Sequence, residues 1–401
     1  MTRTKGIIHH SGGFTLIELI VVMAIFMVVL IISASTFNTI LMNTGRVFKS
    51  EESNIEGIVG LEMLRHDLQQ AGYGLFSESG PNYNESADAL PASNDDAPNN
   101  VPRPLVFMDN LVGTQSVDSF TPLAGSDYIS IKGTSANTAT TAQKWTFLNI
   151  SSTHTRPNTW ASSAENIAPT DNVVVLQKLL GNPPKTNLIT APNGNFYYTY
   201  NSGFSNLSSA MNGFYSVYGI NSITPPRFPF NRIDYFVATP AVTSDFPKTC
   251  APGTGILYKS TMNQGDGKLT KIPVLDCVLD LQVVLGWDTD GDGLIDTYTA
   301  ANGVNNVGTG GSQITTLSTT QNNTLSTIPN IRNNLKMVKA YIIVQDGRKD
   351  TNFVSASPLY LFDDQQSLTK PGGIVLTQAQ LNYRWKIYRI VVRPRNLLAN
   401  Q

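Results

Sequence analysis

The chain has 401 residues, a formal net charge of −1 and 41% hydrophobic residues, which is enough apolar material for a packed core and excludes global disorder. Only 14% of the residues are charged, against about 25% in a typical globular domain, so uncharged polar side chains must cover much of the surface. This composition suits an exported, loop-rich β protein, and the near-neutral charge argues against bulk electrostatic binding of nucleic acid.

The amino terminus joins a basic segment to a long apolar run. Residues 1–13 contain one arginine, one lysine and no acid, and basic residues before an apolar segment keep that end of the chain in the cytoplasm. Residues 14–32 read "FTLIELIVVMAIFMVVLII". As a helix this run spans about 28 Å, close to the ~30 Å hydrocarbon core of a bilayer. We therefore expect a transmembrane helix with the remainder of the chain on the far side.

Glu18 lies inside this apolar run. An acid near the centre of a membrane span costs at least ~2.5 kcal/mol, so intramembrane carboxylates are usually functional and have a partner. An ordinary secretory signal would have a shorter apolar core followed by a small-residue cleavage site, and neither is present. The acid therefore indicates a specialised membrane segment.

The stretch "GGFTLIELIVVMAI" resembles the class III signal of type IV pilins and of type II secretion pseudopilins. The resemblance implies that prepilin peptidase cuts on the cytoplasmic side after Gly13 and that Phe14 is then N-methylated. It also places Glu18 at the family's glutamate, which can pair with the new amine of a neighbouring subunit as helices bundle into a filament.

The helix is expected to continue well beyond the membrane run, because residues 14–72 contain no proline. Residues 33–74 form the amphipathic half, in which apolar side chains recur at steps of three and four. They are Ile58, Leu61, Leu64, Leu68, Ala71 and Leu75. Gly45, Gly57 and Gly60 predict soft points in the helix, and Gly72 with Gly74 predicts its end. The apolar stripe predicts that the helix packs on the chain's own head, residues 75–401.

The segment "LRHDLQQAGYG", residues 64–74, resembles the end of the long helix in PilW-type minor pilins. The carboxyl-terminal stretch "YRWKIYRIVVRPRN", residues 383–396, resembles the PilW terminus, including Arg395 and Asn396. The family resemblance implies a minor pilin rather than the abundant, usually shorter, major pilin.

The head is predicted to be β-rich. Residues 77–125 contain many turn-forming residues and predict a surface loop. Short β-branched or alternating runs follow at 127–133, 144–151, 172–178, 195–201, 232–238 and 255–261. Residues 77–245 exceed what a minimal pilin head requires, so we expect an elaboration that serves contacts.

Two strands in the carboxyl-terminal half are expected to bury one face each. In "CVLDLQVVLGW", residues 277–287, alternation places Cys277, Leu279 and Leu281 on the buried face with Val283, Leu285 and Trp287. In "KMVKAYIIV", residues 336–344, it places Lys339 and Tyr341 on the exposed face.

The two cysteines of the chain, Cys250 and Cys277, are compatible with free core thiols or with a disulfide. Export favours the disulfide. A predicted hairpin that turns near residues 265–267 brings the two cysteines together.

An Asp-rich loop, "DTDGDGLID", follows the Trp287 strand directly. Its residues match the first nine positions of an EF-hand-type calcium loop, with ligands at Asp288, Asp290, Asp292, the Leu294 carbonyl and Asp296. Position 12 is Thr299 instead of the bidentate glutamate, so the loop departs from a full EF-hand. Because four adjacent carboxylates would repel one another without a cation, we predict that residues 288–296 bind Ca²⁺.

Catalysis finds little support in the sequence. It contains no G-x-S-x-G, Walker, H-E-x-x-H or C-x-x-C motif, and two cysteines alone cannot form a structural zinc site. A basic and aromatic pattern over residues 383–395 could contact DNA, but ordinary solvent-facing cations explain it more simply. We therefore predict that the chain is not an enzyme, and nucleic-acid binding stays unsupported.

The combined prediction is an α+β, pilin-like protein with one long amino-terminal helix packed on a large, mainly antiparallel β-rich head. The implied function is that of a minor pilin that enters the shaft or the tip of a type IV pilus and promotes its assembly. Its implied partners are other pilins, prepilin peptidase and the inner-membrane assembly machinery. The precursor would reside in the inner membrane with its head in the periplasm. The alternatives are a minor pseudopilin of a type II secretion system and a pilus-tip adhesin or DNA-binding subunit.

Overall fold

The computed structural model describes residues 15–78, 80–97, 101–112, 117, 119–150, 157–179, 185–200, 212–221, 225–301, 332–361, 369–370 and 372–398, without the side chains of residues 39, 42–43, 45–56 and 243. The chain divides into two compact units, residues 1–53 and residues 54–401. The predicted α+β, pilin-like class is confirmed: an apolar amino-terminal helix accompanies a large antiparallel β-sheet head.

The first unit contains the apolar start of helix α1, which spans Leu16–Gln70. The segment Leu16–Asn38 is long and apolar enough to cross a membrane, and none of it is buried within the protein. Where polar residues enter, the hydroxyls of Ser35 and Thr36 donate hydrogen bonds to the carbonyl of Ile32 at 2.8 and 2.9 Å. The helix therefore satisfies these polar groups internally.

In the second unit, the last part of α1 packs on a sheet. Leu61, Leu64 and Leu68 are buried as predicted, but Ile58 is 58% exposed. The contact face runs through the buried Gly60 instead, where an added Cβ would lie 2.4 Å from a side-chain carbon of Val274. The predicted soft point is thus a close-approach point, and the apolar stripe missed it because glycine carries no hydrophobic side chain.

Fourteen strands are found in the described part of the second unit. In chain order they are β1 (Leu105–Met108), β2 (Thr121–Pro122), β3 (Tyr128–Gly133), β4 (Trp145–Ile150), β5 (Asn172–Leu179), β6 (Lys185–Ile189), β7 (Tyr198–Thr199), β8 (Gly213–Asn221), β9 (Asn231–Thr239), β10 (Gly255–Met262), β11 (Leu269–Trp287), β12 (Thr297–Ala300), β13 (Leu335–Asp346) and β14 (Arg384–Val392). Two short helices, α2 (Ala89–Ala92) and α3 (Arg395–Leu398), complete the described elements used below.

The strands form two antiparallel sheets. The main sheet has nine strands in the order β1-β3-β9-β10-β11-β13-β14, with β2 paired to β9 and β12 paired to β11. The second sheet has five strands in the order β4-β8-β5-β6, with β7 paired to β5. The region 77–245 therefore supplies β1, β2, β3 and β9 to the main sheet as well as all strands of the second sheet.

The main sheet is covered on both faces. On β9, Ile233 and Tyr235 belong to the core that contains the end of α1, whereas Phe236 belongs to the core shared with the second sheet. This alternation follows from the two-residue period of a strand. The opposite face of the second sheet has a separate small core around Leu148 and Val175.

The predicted one-sided burial of β11 and β13 is wrong. Lys339 and Tyr341 are only 6% and 2% exposed, because a further apolar cluster that includes Leu361 covers this face. On β11, a register shift between Val278 and Asp280 interrupts the alternation. Leu279 therefore packs in the cluster that includes Leu361, on the face opposite to Leu281. A β-bulge changes which face later residues occupy, and no residue type in this stretch signals it.

The prediction of a surface loop over residues 77–125 is also wrong. The segment contains α2, β1 and β2, and all four residues of β1 are buried. Several of its acidic and polar side chains are buried as well, including Glu85 at 1% and Asp96 at 4% exposure. Turn-forming composition was a poor guide here because the acids have buried cationic partners elsewhere in the chain.

Candidate functional site

Glu18 forms a capping box at the start of α1. Thr15 precedes the first helical residue, and its backbone N–H and its hydroxyl each donate a hydrogen bond of 2.9 Å to the Glu18 carboxylate. The Glu18 N–H points back to the Thr15 hydroxyl at 3.4 Å. This reciprocal pairing satisfies donors that the first turn of a helix leaves unpaired. The predicted cleavage and methylation positions, Gly13 and Phe14, lie outside the described residues.

The Asp-rich loop follows β11 and is closed by backbone bonds. The N–H of Asp296 donates to the Trp287 carbonyl at 2.9 Å, so both ends of the loop meet at the end of the strand. Carboxylate oxygens of Asp288, Asp290 and Asp296 then all lie within 4.8 Å of one another. Of the four predicted carboxylate ligands, the structure brings these three together.

Asp292 is not part of that group. Its carboxylate accepts the N–H of Leu294 at 2.7 Å, which stabilises the turn. Thr299 occupies the position of the EF-hand glutamate. Its hydroxyl accepts a hydrogen bond of 2.8 Å from the indole N–H of the buried Trp287. The departure from the EF-hand pattern at Thr299 therefore has a structural reason.

The electrostatics of the loop favour ionised carboxylates. Burial raises the pKa of Asp288, but N–H donors from Gly291 and Gly293, at 2.6 and 2.9 Å, and the Lys336 ammonium outweigh it, so this pKa lies below its usual value. The backbone N–H and the hydroxyl of Thr289 lower the pKa of Asp296. Lys336, whose Nζ lies 3.5 Å from an Asp288 oxygen, was not foreseen and partly neutralises the acids.

The predicted disulfide between Cys250 and Cys277 is confirmed, with the two Cα atoms 5.0 Å apart. The hairpin that was expected to bring them together is also confirmed, since Met262 of β10 pairs with Leu269 of β11. The bond ties the turn before β10 to the middle of β11. The two cysteines are 27 residues apart in the sequence.

The segments that carried the PilW resemblance meet in space at the end of α1. Asp67 accepts the Tyr235 hydroxyl and the Lys259 ammonium, each at 2.6 Å, which fixes the last turns of the helix to the main sheet. The Asn396 amide donates to the carbonyls of Gln70 and Ala71 at 3.1 and 3.3 Å. Asn396 thus satisfies carbonyls that the helix end leaves unpaired.

The basic and aromatic pattern of β14 is largely engaged within the head. Arg384 pairs with Asp350 at 3.2 Å and lies over the ring of Phe353. Tyr383 is buried, and the indole N–H of Trp385 donates to a backbone carbonyl. The pattern therefore does not present a row of exposed rings for base stacking.

A buried ion-pair network was missed by sequence reasoning. The Lys132 ammonium lies 2.8 Å from Glu85 and 2.5 Å from Asp96. The Arg232 guanidinium lies 2.8 Å from the same Glu85 and 2.9 Å from Asp234. Lys132 and Arg232 are fully buried, so they and the acids depend on one another for charge compensation.

An aromatic patch lies at the β4 edge of the second sheet, on the face that carries Tyr218. Trp145 and Phe147 on β4 are 43% and 41% exposed, and Phe214 on β8 is 69% exposed. The Trp160 ring packs 4.8 Å from that of Trp145, and its N–H donates to the Trp145 carbonyl at 2.7 Å. Exposed aromatic groups of this size on a folded head are candidates for a contact surface.

Two family models match the chain. The model described as the prokaryotic N-terminal methylation motif matches residues 8–34. The model described as Type IV Pilus-assembly protein W matches residues 234–396. The first match contains Glu18, and the second contains both cysteines and the Asp-rich loop. No curated protein and no solved structure matches the chain.

Proposed function

We propose that this chain is a PilW-type minor pilin that acts in the assembly of a type IV pilus. The two family matches support this proposal. Both matched families are structural components of pili. The apolar helix and the methylation motif fit a precursor anchored in the membrane and later found in the pilus.

In the proposed mechanism, prepilin peptidase cuts after Gly13, and the freed amine of Phe14 is methylated. The chain then leaves the inner membrane by packing its apolar helix against those of other pilins, through the assembly machinery. The Glu18 carboxylate at the first turn is the observation that carries this proposal. A carboxylate at this position can accept the amine of an adjacent subunit once water and lipid are excluded.

Complementation of a deletion strain with tagged variants tests the proposal. Glu18→Gln keeps the hydrogen-bonding shape without the charge, and Glu18→Val removes both. We expect both variants to be cleaved, to remain in the membrane and to reduce pilus number, with no head label on the fibres. Normal incorporation of the cleaved Glu18→Val protein would refute the proposed pairing. Normal piliation in the uncomplemented deletion strain would refute the assembly role.

We also propose that Ca²⁺ stabilises the loop 288–296. Three converging carboxylates supply the hard oxygen donors that calcium prefers. The nearby Lys336 and the diversion of Asp292 lower the expected affinity below that of a full EF-hand.

The melting temperature of the full chain in detergent measures this effect. We expect it to rise in excess Ca²⁺ relative to chelator, and to lose the difference in Asp290→Asn. Asp266→Asn, at an exposed turn, is the matched control. Equal melting temperatures in Ca²⁺ and chelator would contradict the calcium proposal without affecting the assembly role.

The aromatic patch favours a second candidate function, a tip adhesin. Trp145, Phe147 and Phe214 together expose a large apolar surface on a sheet that the helix does not require for packing. A Trp145→Ser/Phe214→Ser variant should retain normal pilus number but lose attachment to surfaces. Attachment at the wild-type level would argue against adhesion through this patch. The pseudopilin alternative is distinguished by whether neighbouring genes encode pilins or secretion components.

A further inference from the structure

A small cleft lies between the turn that follows α1 and the second sheet. It has a volume of about 210 Å³ and is lined by Tyr73, Leu176, Lys178, Lys185, Tyr218 and Arg332, among others. The cleft combines three cations with aromatic and apolar walls. Its size is below the range of about 300–1,000 Å³ typical for drug-sized ligands, so it suits a small molecule or one residue of a larger one.

Arg332 is a buried cation in the lining of this cleft. One of its terminal nitrogens donates to the carbonyls of Phe76 and Pro102 at 2.6 and 3.3 Å. Its Nε is buried and has no hydrogen-bond partner within the described residues. Burial lowers the pKa of Arg332 to about 10, so the side chain remains cationic at neutral pH. A buried guanidinium with an unpaired donor is unfavourable unless an acceptor is supplied.

No described carboxylate forms an ion pair with Arg332. Asp96 acts on Arg332 electrostatically and raises its pKa, but Asp96 is already paired with Lys132 and Arg103. The preceding residues, 302–331, contain no aspartate or glutamate, so that segment cannot supply a counter-ion either. The carbonyls of Phe76 and Pro102 accept hydrogen bonds from Arg332, but they are neutral and do not cancel its charge.

The rest of the cleft adds to the positive charge. Lys178 is exposed at its rim and makes no ion pair with a described acid, and the adjoining residues 180–184 contain none. Lys185 is neutralised by Glu78 at 2.9 Å. Two of the three cations therefore remain for a ligand.

The cleft also contains hydroxyl groups. The side chains of Ser216, Tyr218 and Tyr73 are linked by hydrogen bonds, and the Tyr73 and Tyr218 rings are 5.5 Å apart in an edge-to-face arrangement. Hydroxyls and ring surfaces suit a polar organic group better than a bare inorganic ion. A guanidinium group forms strong charge-assisted hydrogen bonds with a carboxylate.

From these features we infer that the cleft binds the carboxylate of a small hydroxylated organic acid, with Arg332 as the anchoring cation and Lys178 as the rim cation. An acidic sugar residue, free or within a polysaccharide, has this chemistry. This inference goes beyond the proposed assembly role and does not depend on it.

Isothermal titration of the full chain, in a nonionic detergent without sugar groups, tests the inference. The probes are glucuronate, glucose as the uncharged analogue, lactate as a smaller hydroxy acid, and inorganic phosphate. We expect glucuronate to bind, glucose not to bind, and lactate to bind more weakly than glucuronate. Binding of phosphate alone, equal binding of glucose, or no binding of either acid would overturn the inference. Binding of oligoglucuronate tighter than the monosaccharide would identify a polysaccharide as the source.

Variants then assign the residues. Arg332→Gln should raise the dissociation constant for glucuronate roughly tenfold to hundredfold, the usual effect of losing a charge-assisted bond. Because Arg332 also donates to backbone carbonyls, the exposed Lys178→Gln is the second variant, with an expected increase of a few fold. Lys349→Gln, an exposed cation outside the cleft, is the matched control and should bind normally. Unchanged affinity in Lys178→Gln and in a folded Arg332→Gln would overturn the assignment.

Discussion

Glu18 lies in an apolar helix and Glu85 lies in the core of the head, and the chain accommodates these two carboxylates in different ways. Glu18 accepts hydrogen bonds from Thr15, three residues away. Glu85 depends on Lys132 and Arg232, which are 47 and 147 residues away. A carboxylate whose partners are close in sequence can be recognised from a short stretch of residues. A carboxylate whose partners are far away in sequence cannot, because each of the separate stretches has an ordinary polar composition.

The largest expected effect comes from removing a partner of Glu85 that is distant in sequence. Arg232→Met should lower the free energy of unfolding of the head by about 3–5 kcal/mol, because the buried Asp234 would lose its counter-ion and the buried Glu85 would keep only Lys132. Denaturant unfolding followed by tryptophan fluorescence measures the loss. Arg348→Met, at an exposed position, is the control and should stay within about 0.5 kcal/mol of the wild type. A loss below 1 kcal/mol in Arg232→Met would mean that the network contributes little to stability.

The disulfide is intermediate between the two cases, because its cysteines are separated by 27 residues and joined by a recognisable hairpin. Reduction or Cys250→Ala should lower the free energy of unfolding by about 3–4 kcal/mol on the chain-entropy model. Unfolding under oxidising and reducing conditions gives the difference. The Cys250→Ala protein should show no further loss on reduction; a further loss would point to an effect of the reductant itself.

This comparison also explains how much of the structure was predictable. The helix stripe at Leu64 and Leu68, the β10–β11 hairpin and the cysteine pairing depend on neighbours in sequence, and all were predicted. The burial of Lys339 depends on a covering cluster that includes Leu361 from another segment, and the docking at Gly60 depends on Val274. A single sequence contains no direct sign of such contacts, because each half has an ordinary residue pattern alone.

The same limit applies to the candidate sites. Asp288, Asp290 and Asp296 were predicted as a group because an acidic loop of fixed spacing has a local signature. Lys336 approaches Asp288 from another strand, and Arg332 lines its cleft beside residues from the second sheet. The only available signal for Arg332 was negative: a cation that follows thirty residues without any acid, 302–331.

A smaller effect on the free energy of unfolding is expected from the buried acid Asp280. Burial raises the pKa of Asp280 to about 6, despite Lys370 and the donors of Gln282 and Ser126. The folded state therefore binds this proton more tightly than the unfolded chain. The resulting stabilisation is complete below about pH 4 and is lost as the pH rises through about 6.

Asp280→Asn removes this titration while keeping the side-chain shape. Relative to the wild type, the variant should gain roughly 2–3 kcal/mol of stability between pH 4 and pH 8. Unfolding free energies at several pH values measure the trend, with Asp266→Asn as the exposed control. A constant difference between Asp280→Asn and the wild type across this range would contradict the assigned titration.

The smallest expected effect concerns the end of α1, where a residue distant in sequence donates hydrogen bonds to the last carbonyls of the helix. Many helices end with a nearby residue that satisfies the last carbonyls; here Asn396 donates to Gln70 and Ala71 from more than 300 residues away. Asn396→Ala should therefore cost about 1 kcal/mol. Asn396→Asp is nearly isosteric but replaces the donor with a negative charge that faces the carbonyl end of the helix, so it should cost more. Amide hydrogen exchange over residues 67–71 should accelerate in both variants, and more so in Asn396→Asp. If both variants exchanged at the wild-type rate, the helix would end without help from Asn396, and the contact between these distant segments would be a consequence of the fold rather than one of its supports.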